Sequence, residues 1–183
     1  CGSSKDTRES ASPDSWEINP PSDKQNRAYG FESHQKSGNY LDLPMPKACA
    51  GTVVLKTKSV GMNPVDFKRR EGQLKPLFPE PYWPAVSGQD IAGIVETIGE
   101  GVTNVKVGDE VLGIMGCTKA VCMSEYKGSY GTLSQYVAVD SNVLVQEPNG
   151  MSWGEAGALP LAFLTSIQAL KVIGADVEGE KKR

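Results

Sequence analysis

The chain has 183 residues, of which 39% are hydrophobic and 22% are charged, and its formal net charge is −3 at pH 7. This length suits one domain and part of a second. The slightly acidic balance argues against nucleic acid as a partner, because binding its phosphates needs a basic face. The longest apolar stretch, residues 157–164, is interrupted by Pro160 and is too short to cross a membrane. His34 is the only histidine, which excludes sites that need two imidazoles and argues against a Ser–His–acid triad.

Residues 1–26 form a polar N-terminal segment. They include six Ser, three Pro and eight charged residues, and such a composition buries too little apolar surface to offset the entropy lost on ordering. We therefore predict a disordered tail over 1–26 and ordered structure from Arg27. The segment has neither an initiator Met nor the apolar core of a secretory signal. We expect a processed chain or a fragment, located in the cytoplasm.

Short apolar segments separated by Gly-rich turns follow, and their alternation predicts β-strands. Many short strands of this kind indicate a barrel or sandwich rather than alternating βαβ units. In one of them Gly93 indicates a close approach of another backbone. The predicted strands begin at Arg27 and cover 52–60, 90–98, the two arms of a hairpin over 105–112, 133–139 and 143–145.

The pattern changes to helical after residue 150. Ser152 and Glu155 have capping-box spacing, and Pro160 suits the first turn of a second helix over 161–173, with Gly174 as its C-terminal cap. Because this second helix is apolar on nearly every side, we expect it to be buried. We therefore divide the ordered chain into a domain over 27–150 and a helical connection over 151–183.

Two polar segments allow either a structural or a functional interpretation. In the first, Asn63-Pro64-Val65-Asp66-Phe67-Lys68, Pro64 keeps Asn63 extended and can start a short helix. In the second, Gly88-Gln89-Asp90 enters an apolar strand. Each segment is either an ordinary turn with solvated side chains or a set of side chains directed into a cleft.

The four cysteines, Cys1, Cys49, Cys117 and Cys122, do not make a disulfide framework, so we expect reduced thiols. A structural zinc site needs four nitrogen or sulfur ligands. Cys117 and Cys122 have no third thiol or histidine near them in the sequence, which favours two ordinary thiols.

Two further segments resemble ligand-binding motifs, but we favour a structural interpretation of each. Gly99-Glu100-Gly101 begins like a dinucleotide-binding fingerprint, but Asn104 replaces its third Gly and a turn follows instead of a helix. The Pro-rich segment at 76–84, PLFPEPYWP, is either a ligand for a polyproline-binding module or a stiff loop over a cleft with its aromatic side chains packed inward. We favour the loop.

In combination, four motifs resemble the N-terminal catalytic domain of the medium-chain dehydrogenase/reductase superfamily. The resemblance implies an α+β fold that is mostly β, a GroES-like, partly open β-barrel. Helices then lead into a Rossmann domain that we expect to be missing from these residues. The motifs are GMNPVDFKRREG (61–72), PAVSGQDIAGIVETIGEGVTNVKVGDEVLG (84–113), GTLSQYVAV (131–139) and EAGALPLAFLTSIQAL (155–170).

The resemblance is to the zinc-independent quinone and enone oxidoreductases of that superfamily. Zinc alcohol dehydrogenases have a Cys where Asn63 stands and a His where Gln89 stands, and neither an amide of Asn nor one of Gln is a usual zinc ligand. The resemblance therefore implies no zinc. It places Asn63 and Thr165 against the nicotinamide of NADPH and makes Lys68 the candidate catalytic residue, as a cation that stabilises the enolate oxygen. It leaves Tyr130 and Tyr136 as unranked proton donors.

These features predict the catalytic part of an NADPH-dependent oxidoreductase that acts on a small quinone or enone and is inactive without its second domain. That missing domain is where we expect a homodimer contact. One alternative is a relative of the zinc alcohol dehydrogenases with altered ligands. The other is a truncated interaction module without catalytic activity, which would bind its partner through the Pro-rich segment or the Ser-rich tail.

Overall fold

In the computed structural model, the described residues are 25–76, 82–115 and 131–175. Several predictions lie outside these ranges, namely the tail over 1–24, the inward packing of Phe78, the thiols of Cys1, Cys117 and Cys122, and Tyr130. The strands and helices, in chain order, are β1 (Gln25–Phe31), β2 (Asn39–Pro44), β3 (Thr52–Ser59), α1 (Pro64–Arg70), β4 (Ala85–Val86), β5 (Asp90–Ile98), β6 (Glu110–Ile114), β7 (Tyr136–Asp140), β8 (Leu144–Gln146), α2 (Trp153–Ala158) and α3 (Pro160–Val172).

The strands form two antiparallel sheets. The smaller has the order β2–β1–β4 and the larger the order β7–β3–β5–β6–β8, with antiparallel pairing throughout both. Neither sheet closes on itself among the described strands. The predicted α+β class and the partly open, mostly β architecture are confirmed.

Asn26 joins the two sheets at the start of β1. Its Nδ2 donates to the carbonyl oxygen of Tyr136 at 2.7 Å, and its Oδ1 accepts from the Tyr136 N–H at 2.9 Å. The Asn26 side chain is buried and pairs with a peptide group of β7 much as a neighbouring strand would. Strand β1 therefore includes Gln25 and Asn26, which the sequence had assigned to the tail.

The main core lies on the larger sheet. Val53 and Leu55 of β3 are fully buried and pack in the same core, as the prediction that they share one face requires, while Thr57 farther along the strand is half-buried. Fully burying one such aliphatic side chain stabilises the fold by about 1.5–3 kcal/mol. The buried members of this core are Val53, Leu55, Ile91, Val95, Val105, Val111, Val137, Val139 and Leu144.

Gly93 allows β3 and β5 to approach each other. A Cβ at this position would lie 2.5 Å from the carbonyl oxygen of Lys56, too close for any side chain. The pairing register of the two strands also shifts between Thr57 and Ser59. The predicted close backbone approach at Gly93 is confirmed.

The predicted hairpin over 105–112 forms only its second arm. β6 begins at Glu110, but the chain before it is not a strand. The Gly108 N–H donates to the carbonyl oxygen of Val95 at 2.8 Å, so the turn is bonded to β5 and not across the predicted hairpin. Val105 is buried and packs into the main core without a strand partner.

The strand predicted over 133–139 begins later, at Tyr136. The Leu133 N–H donates to the carbonyl oxygen of Ser87 at 2.9 Å, and the Leu133 carbonyl oxygen accepts from the Tyr29 N–H at 2.8 Å. Leu133 is therefore bonded to the smaller sheet and its flanking loop. Local sequence cannot report such a distant partner.

The two predicted helices are present, and the second covers Pro160–Val172 instead of 161–173, with Ile173 as its C-terminal cap. Ser152 and Glu155 form the capping box of α2, in which the Ser152 Oγ accepts from the Glu155 N–H at 3.3 Å. Pro160 occupies the first turn of α3, and Gly174 follows its end with a positive φ of 74°, a conformation that favours glycine.

The predicted burial of α3 is wrong for the part of the chain that the structure describes. Pro160 is the buried residue of α3, and Val172 at the other end is 86% exposed. Only the start of α3 packs against α2, β5 and β6. Although α3 is apolar in composition, these elements therefore do not bury most of it.

Cys49 is disulfide-bonded. The expectation of reduced thiols is therefore wrong for this residue. Among the helices in the described ranges, none combines the length and the apolar composition needed to span a bilayer.

Candidate functional site

The site begins where the chain leaves β3 and enters α1. Asn63 is extended, with φ −120° and ψ 158°, and Pro64 takes the first helical position, as the sequence predicts. The Asn63 N–H donates to the Asp66 Oδ2 at 2.8 Å. Because this hydrogen bond spans the first turn, it fixes the backbone of Asn63 relative to α1.

Asp66 lies on the inward side of α1 and is only 6% exposed. Burial raises the pKa of its carboxyl above the usual value, and the nearby Asp90 carboxylate adds to the increase. Hydrogen bonds from the backbone N–H groups of Asn63 and Gly88 act in the opposite direction. Asp66 is thus bonded to backbone on both of its flanks and serves local structure.

Asp90, the first residue of β5, is fully buried. Its Oδ2 accepts from the Asn63 Nδ2 at 2.7 Å, and its Oδ1 accepts from the Leu161 N–H at 2.7 Å. Burial raises the pKa of Asp90, while these two hydrogen bonds oppose the increase. One carboxyl group therefore connects Asn63 to the first turn of α3.

Two glycines make this arrangement compact. A Cβ on Gly61 would lie 2.5 Å from the carbonyl oxygen of Gly157 and 2.7 Å from the Asp90 Oδ2. A Cβ on Gly157 would lie 2.4 Å from the Ser59 Oγ. The end of β3 and helix α2 are therefore in backbone contact beside Asp90.

The three predicted site residues occupy different surroundings. Asn63 is half-buried, whereas Lys68 on α1 and Thr165 on α3 are exposed. The Asn63–Asp90–Leu161 hydrogen bonds connect Asn63 to the helix that carries Thr165. Lys68 lies in the basic last turn of α1 with Arg69 and Arg70.

A cleft of about 460 Å³, counted with its solvent-open mouth, lies beside α1. The His34 and Trp83 rings meet edge to face at 4.8 Å, and the Arg70 guanidinium lies 5.5 Å from the centre of the Phe31 ring. The prediction of inward aromatic packing therefore holds for half-buried Trp83 but not for Tyr82, which is 76% exposed. The lining includes Phe31, Asp66, Arg69, Arg70, Trp83 and Gln89.

The residues at the expected zinc positions do not fit the metal. The Asn63 amide is bonded to Asp90, and Gln89 supplies only another amide. Within the described ranges, no three His, Cys, Asp or Glu side chains group closely enough to hold a metal ion. We derive no chemical step through zinc.

The two residues expected at the nicotinamide lie on different helices, Asn63 at the N-terminal cap of α1 and Thr165 within α3. Asn63 and Thr165 supply polar groups near the start and middle of α3. At 99–104 the chain turns without entering a helix, which confirms that this Gly-rich segment is not a dinucleotide fingerprint.

Sequence reasoning missed the bond from the Leu161 N–H to Asp90. The available signal was Pro160, which marks a helix start whose N–H groups need acceptors. It also missed the contact of Arg70 with Phe31, for which the sequence carries no local signal.

The chain was compared with known families and structures. Residues 49–149 match the model of the alcohol dehydrogenase GroES-like domain. The chain belongs to this family. This match confirms the GroES-like resemblance over the part of the chain that contains Asn63 and Asp90.

Relatives of this GroES-like domain include plant and bacterial oxidoreductases. The chain is 32% identical over 145 residues to the chloroplast envelope quinone oxidoreductase homolog of Arabidopsis thaliana, covering 79% of this chain and 41% of that protein. It is 33% identical over 129 residues to the NADPH-dependent alkenal/one oxidoreductase, chloroplastic, of the same plant, covering 70% and 32%. The structure of the quinone oxidoreductase from Coxiella burnetii matches with a TM-score of 0.65 at 28% identity, covering 81% and 45%. The chain thus spans less than half the length of these relatives.

Proposed function

We propose that this GroES-like domain is the catalytic part of an NADPH-dependent oxidoreductase that reduces quinones or α,β-unsaturated carbonyl compounds. The observation that carries the proposal is Asn63, an amide bonded to Asp90 where a metal-dependent relative needs a thiolate. Relatives named quinone oxidoreductase and NADPH-dependent alkenal/one oxidoreductase support the substrate class.

When bound, NADPH supplies a hydride. Reduction of an enone adds that hydride to the β-carbon, moves the π electrons to the carbonyl oxygen and later adds a proton at the α-carbon. We propose that the exposed Lys68 ammonium stabilises the negative oxygen. Asn63 and Thr165 orient the nicotinamide, and Tyr136 and Tyr130 are the candidate proton donors.

We assign the pyrophosphate and adenosine of NADPH to a nucleotide-binding domain outside these residues. No described segment combines a Gly-rich turn with the start of a helix in the way that a pyrophosphate site requires. The expected homodimer contact belongs to the same domain, and sedimentation of the complete protein tests it.

The test uses the protein continued through a nucleotide-binding domain. We expect oxidation of NADPH with a quinone and with an α,β-unsaturated ketone, and none with the matched saturated ketone. Elemental analysis of the same preparation should give far less than one zinc per chain. Reduction of the saturated ketone together with one tightly held zinc would refute the proposal and favour a zinc alcohol dehydrogenase.

The cytoplasmic location predicted from the sequence stays a prediction. The names of the two plant relatives place those proteins in the chloroplast or its envelope. Imaging a fluorescent fusion of the complete protein in its source cells would test the location.

A further inference from the structure

The cleft beside α1 combines aromatic and basic side chains. Phe31 of β1 and Trp83 before β4 contribute two rings to its lining, and Arg69 and Arg70 contribute two guanidinium groups from the last turn of α1. Apolar surfaces with a few polar groups that fix orientation are typical of small-molecule sites. None of the three residues assigned to the nicotinamide or to the enolate oxygen belongs to this lining.

The two guanidinium groups have different acidic neighbours. The charge of Arg69 acts on the buried Asp66 carboxyl, where it lowers the pKa against the effect of burial. Arg70 instead donates through Nη2 to Glu71, its neighbour in the sequence. The side chains of Arg70 and Glu71 are 36% and 29% exposed, and an ion pair with this much access to water is weak. An anion that enters the cleft can therefore compete with Glu71 for Arg70.

Arg70 also has an unused donor in this conformation. Its Nε is buried, and among the described residues no acceptor lies within hydrogen-bond distance of that atom. A buried donor without an acceptor is costly, above all on a charged group, so a rotation of the guanidinium toward an acceptor in the cleft is favourable. The backbone stays in place during such a rotation, because the Arg70 carbonyl oxygen accepts from the Gln35 N–H at 3.1 Å.

The rings determine which anion suits this cleft. The Arg70 guanidinium lies 5.5 Å from the centre of the Phe31 ring, a cation–π arrangement, and the Trp83 ring contacts His34 edge to face at 4.8 Å. Rigid aromatic surfaces favour a flat, apolar ring as their partner. The planar fork of a guanidinium matches the two oxygens of a carboxylate.

We propose that the cleft is a binding site for a small aromatic carboxylate. Its ring packs against Phe31 and Trp83, and its two oxygens accept hydrogen bonds from the Arg70 guanidinium. The buried Asp66 carboxyl belongs to the same lining and disfavours a second negative charge nearby. A carboxylate with one charge therefore suits the cleft better than a phosphate with two.

Titration of the ¹⁵N-labelled chain with benzoate tests this site by NMR. Benzoate at millimolar concentrations should shift the Trp83 indole N–H signal and the Arg70 Nε–H signal in a saturable manner. Benzamide has the same ring without the charge and should bind at least tenfold more weakly, because it lacks the charge-assisted hydrogen bonds. The Trp153 indole is the internal control, because it packs against the separate cluster around Ala92 and should not shift.

Two substitutions at Arg70 separate its charge from its geometry. Arg70→Gln should weaken benzoate binding at least tenfold, whereas Arg70→Lys keeps the charge without the planar fork and should recover only part of the affinity. The matched control is Arg27→Gln, which also removes one guanidinium. Arg27 pairs with Asp42 at 3.3 Å and does not line the cleft, so this variant should bind benzoate as wild type does.

Each part of the proposed site has an outcome that would overturn it. Equal affinities of wild type for benzoate and benzamide would overturn the role of Arg70. Inorganic phosphate that binds as tightly as benzoate would overturn the role of the rings. Equal shifts of the Trp83 and Trp153 signals, or shifts that do not saturate, would overturn the site itself. These wild-type measurements decide the matter even if Arg70→Gln fails to fold.

Discussion

Asp66 and Asp90 are two carboxyl groups held close together in a site that exposes neither of them. Each has a pKa raised above its usual value, mainly because burial disfavours the charged form. Neither group needs to exchange protons with a substrate for these shifts to arise. The same burial that orients Asn63 makes both carboxyl groups sensitive to pH.

Asp66 should make the unfolding free energy fall as pH rises. Its folded pKa is raised above the ordinary value of 3.8 for an aspartate, so the native state holds this proton more tightly than the unfolded state does. Its contribution is therefore complete below 3.8 and declines as pH rises through the folded pKa. Urea unfolding of wild type and Asp66→Asn over this range measures it.

The outcome for Asp66 has a definite sign. The unfolding free energy of wild type minus that of Asp66→Asn should decrease with rising pH and then become constant above the folded pKa. A difference that grows with pH would mean that the Asp66 carboxylate stabilises the fold and that its pKa is lowered.

Lys68 is the residue for which we expect the largest kinetic effect. In the complete protein, Lys68→Ala should lower kcat about 10²-fold, the scale of losing one group that stabilises an oxyanion. The matched control is Lys106→Ala, because Lys106 is an exposed lysine before β6. Steady-state kinetics with an enone decide the matter, since a raised KM with unchanged kcat would reduce Lys68 to a binding residue.

At the scale of elements, helix α2 approaches β3 closely because residue 157 is a glycine. Gly157 is buried. Gly154 on the same helix is exposed, and a Cβ added there would lie in open space. Gly157→Ala places a methyl group 2.4 Å from the Ser59 Oγ and should destabilise the chain by about 1–3 kcal/mol. Gly154→Ala should stabilise it by roughly 0.5–1 kcal/mol, because Ala favours a helix more than Gly does.

Thermal or urea unfolding of the two variants provides the comparison. Both substitutions add one methyl group to α2, so helix propensity alone predicts a gain for each. Equal gains would show that Ser59 moves aside freely and that α2 is not tightly seated on β3.

The sequence predicted elements well wherever the signal was local. The capping box at Ser152, the start of α1 after Asn63 and the close approach at Gly93 each follow from residues within one turn or one strand. The missing hairpin arm before Glu110 and the late start of β7 depend instead on hydrogen bonds to distant strands. A short apolar segment gives the same pattern whichever strand it pairs with.

The candidate site was predictable in its residue types but not in its connections. Asn63 and Asp66 stand together in one motif, and their hydrogen bond follows from helix-start chemistry. The contact of Asp90 with Leu161 joins residues 71 positions apart. Those two residues meet where α2 and α3 pack against β5.

For the whole molecule, the exposed end of α3 limits what this chain can do alone. Val172 and Ile173 are 86% and 77% exposed, and contiguous apolar surface of this kind usually marks an interaction site. On the proposed function, Asn63 and Thr165 would provide two polar contacts to the nicotinamide. Two such contacts do not offset the cost of immobilising a large cofactor.

We therefore expect the 183-residue chain by itself neither to bind NADPH measurably nor to reduce quinones or enones. Most of the affinity for a dinucleotide comes from groups remote from the reacting ring. Titration of NADPH fluorescence measures binding, with the complete protein as the positive control. Saturable micromolar binding to the chain alone would show that the cofactor site lies within these residues.

The pairing of Asn26 with Tyr136 determines where the N-terminal segment can be removed. Proteolysis or recloning that starts the chain at Arg27 would delete a side chain that acts as a substitute strand for β7. The Tyr136 N–H would lose its acceptor, at a cost of about 1–3 kcal/mol for a buried group left unsatisfied, while the Tyr136 carbonyl oxygen would still accept from the Ser134 Oγ. A shortened form intended for crystallisation should therefore begin no later than Gln25.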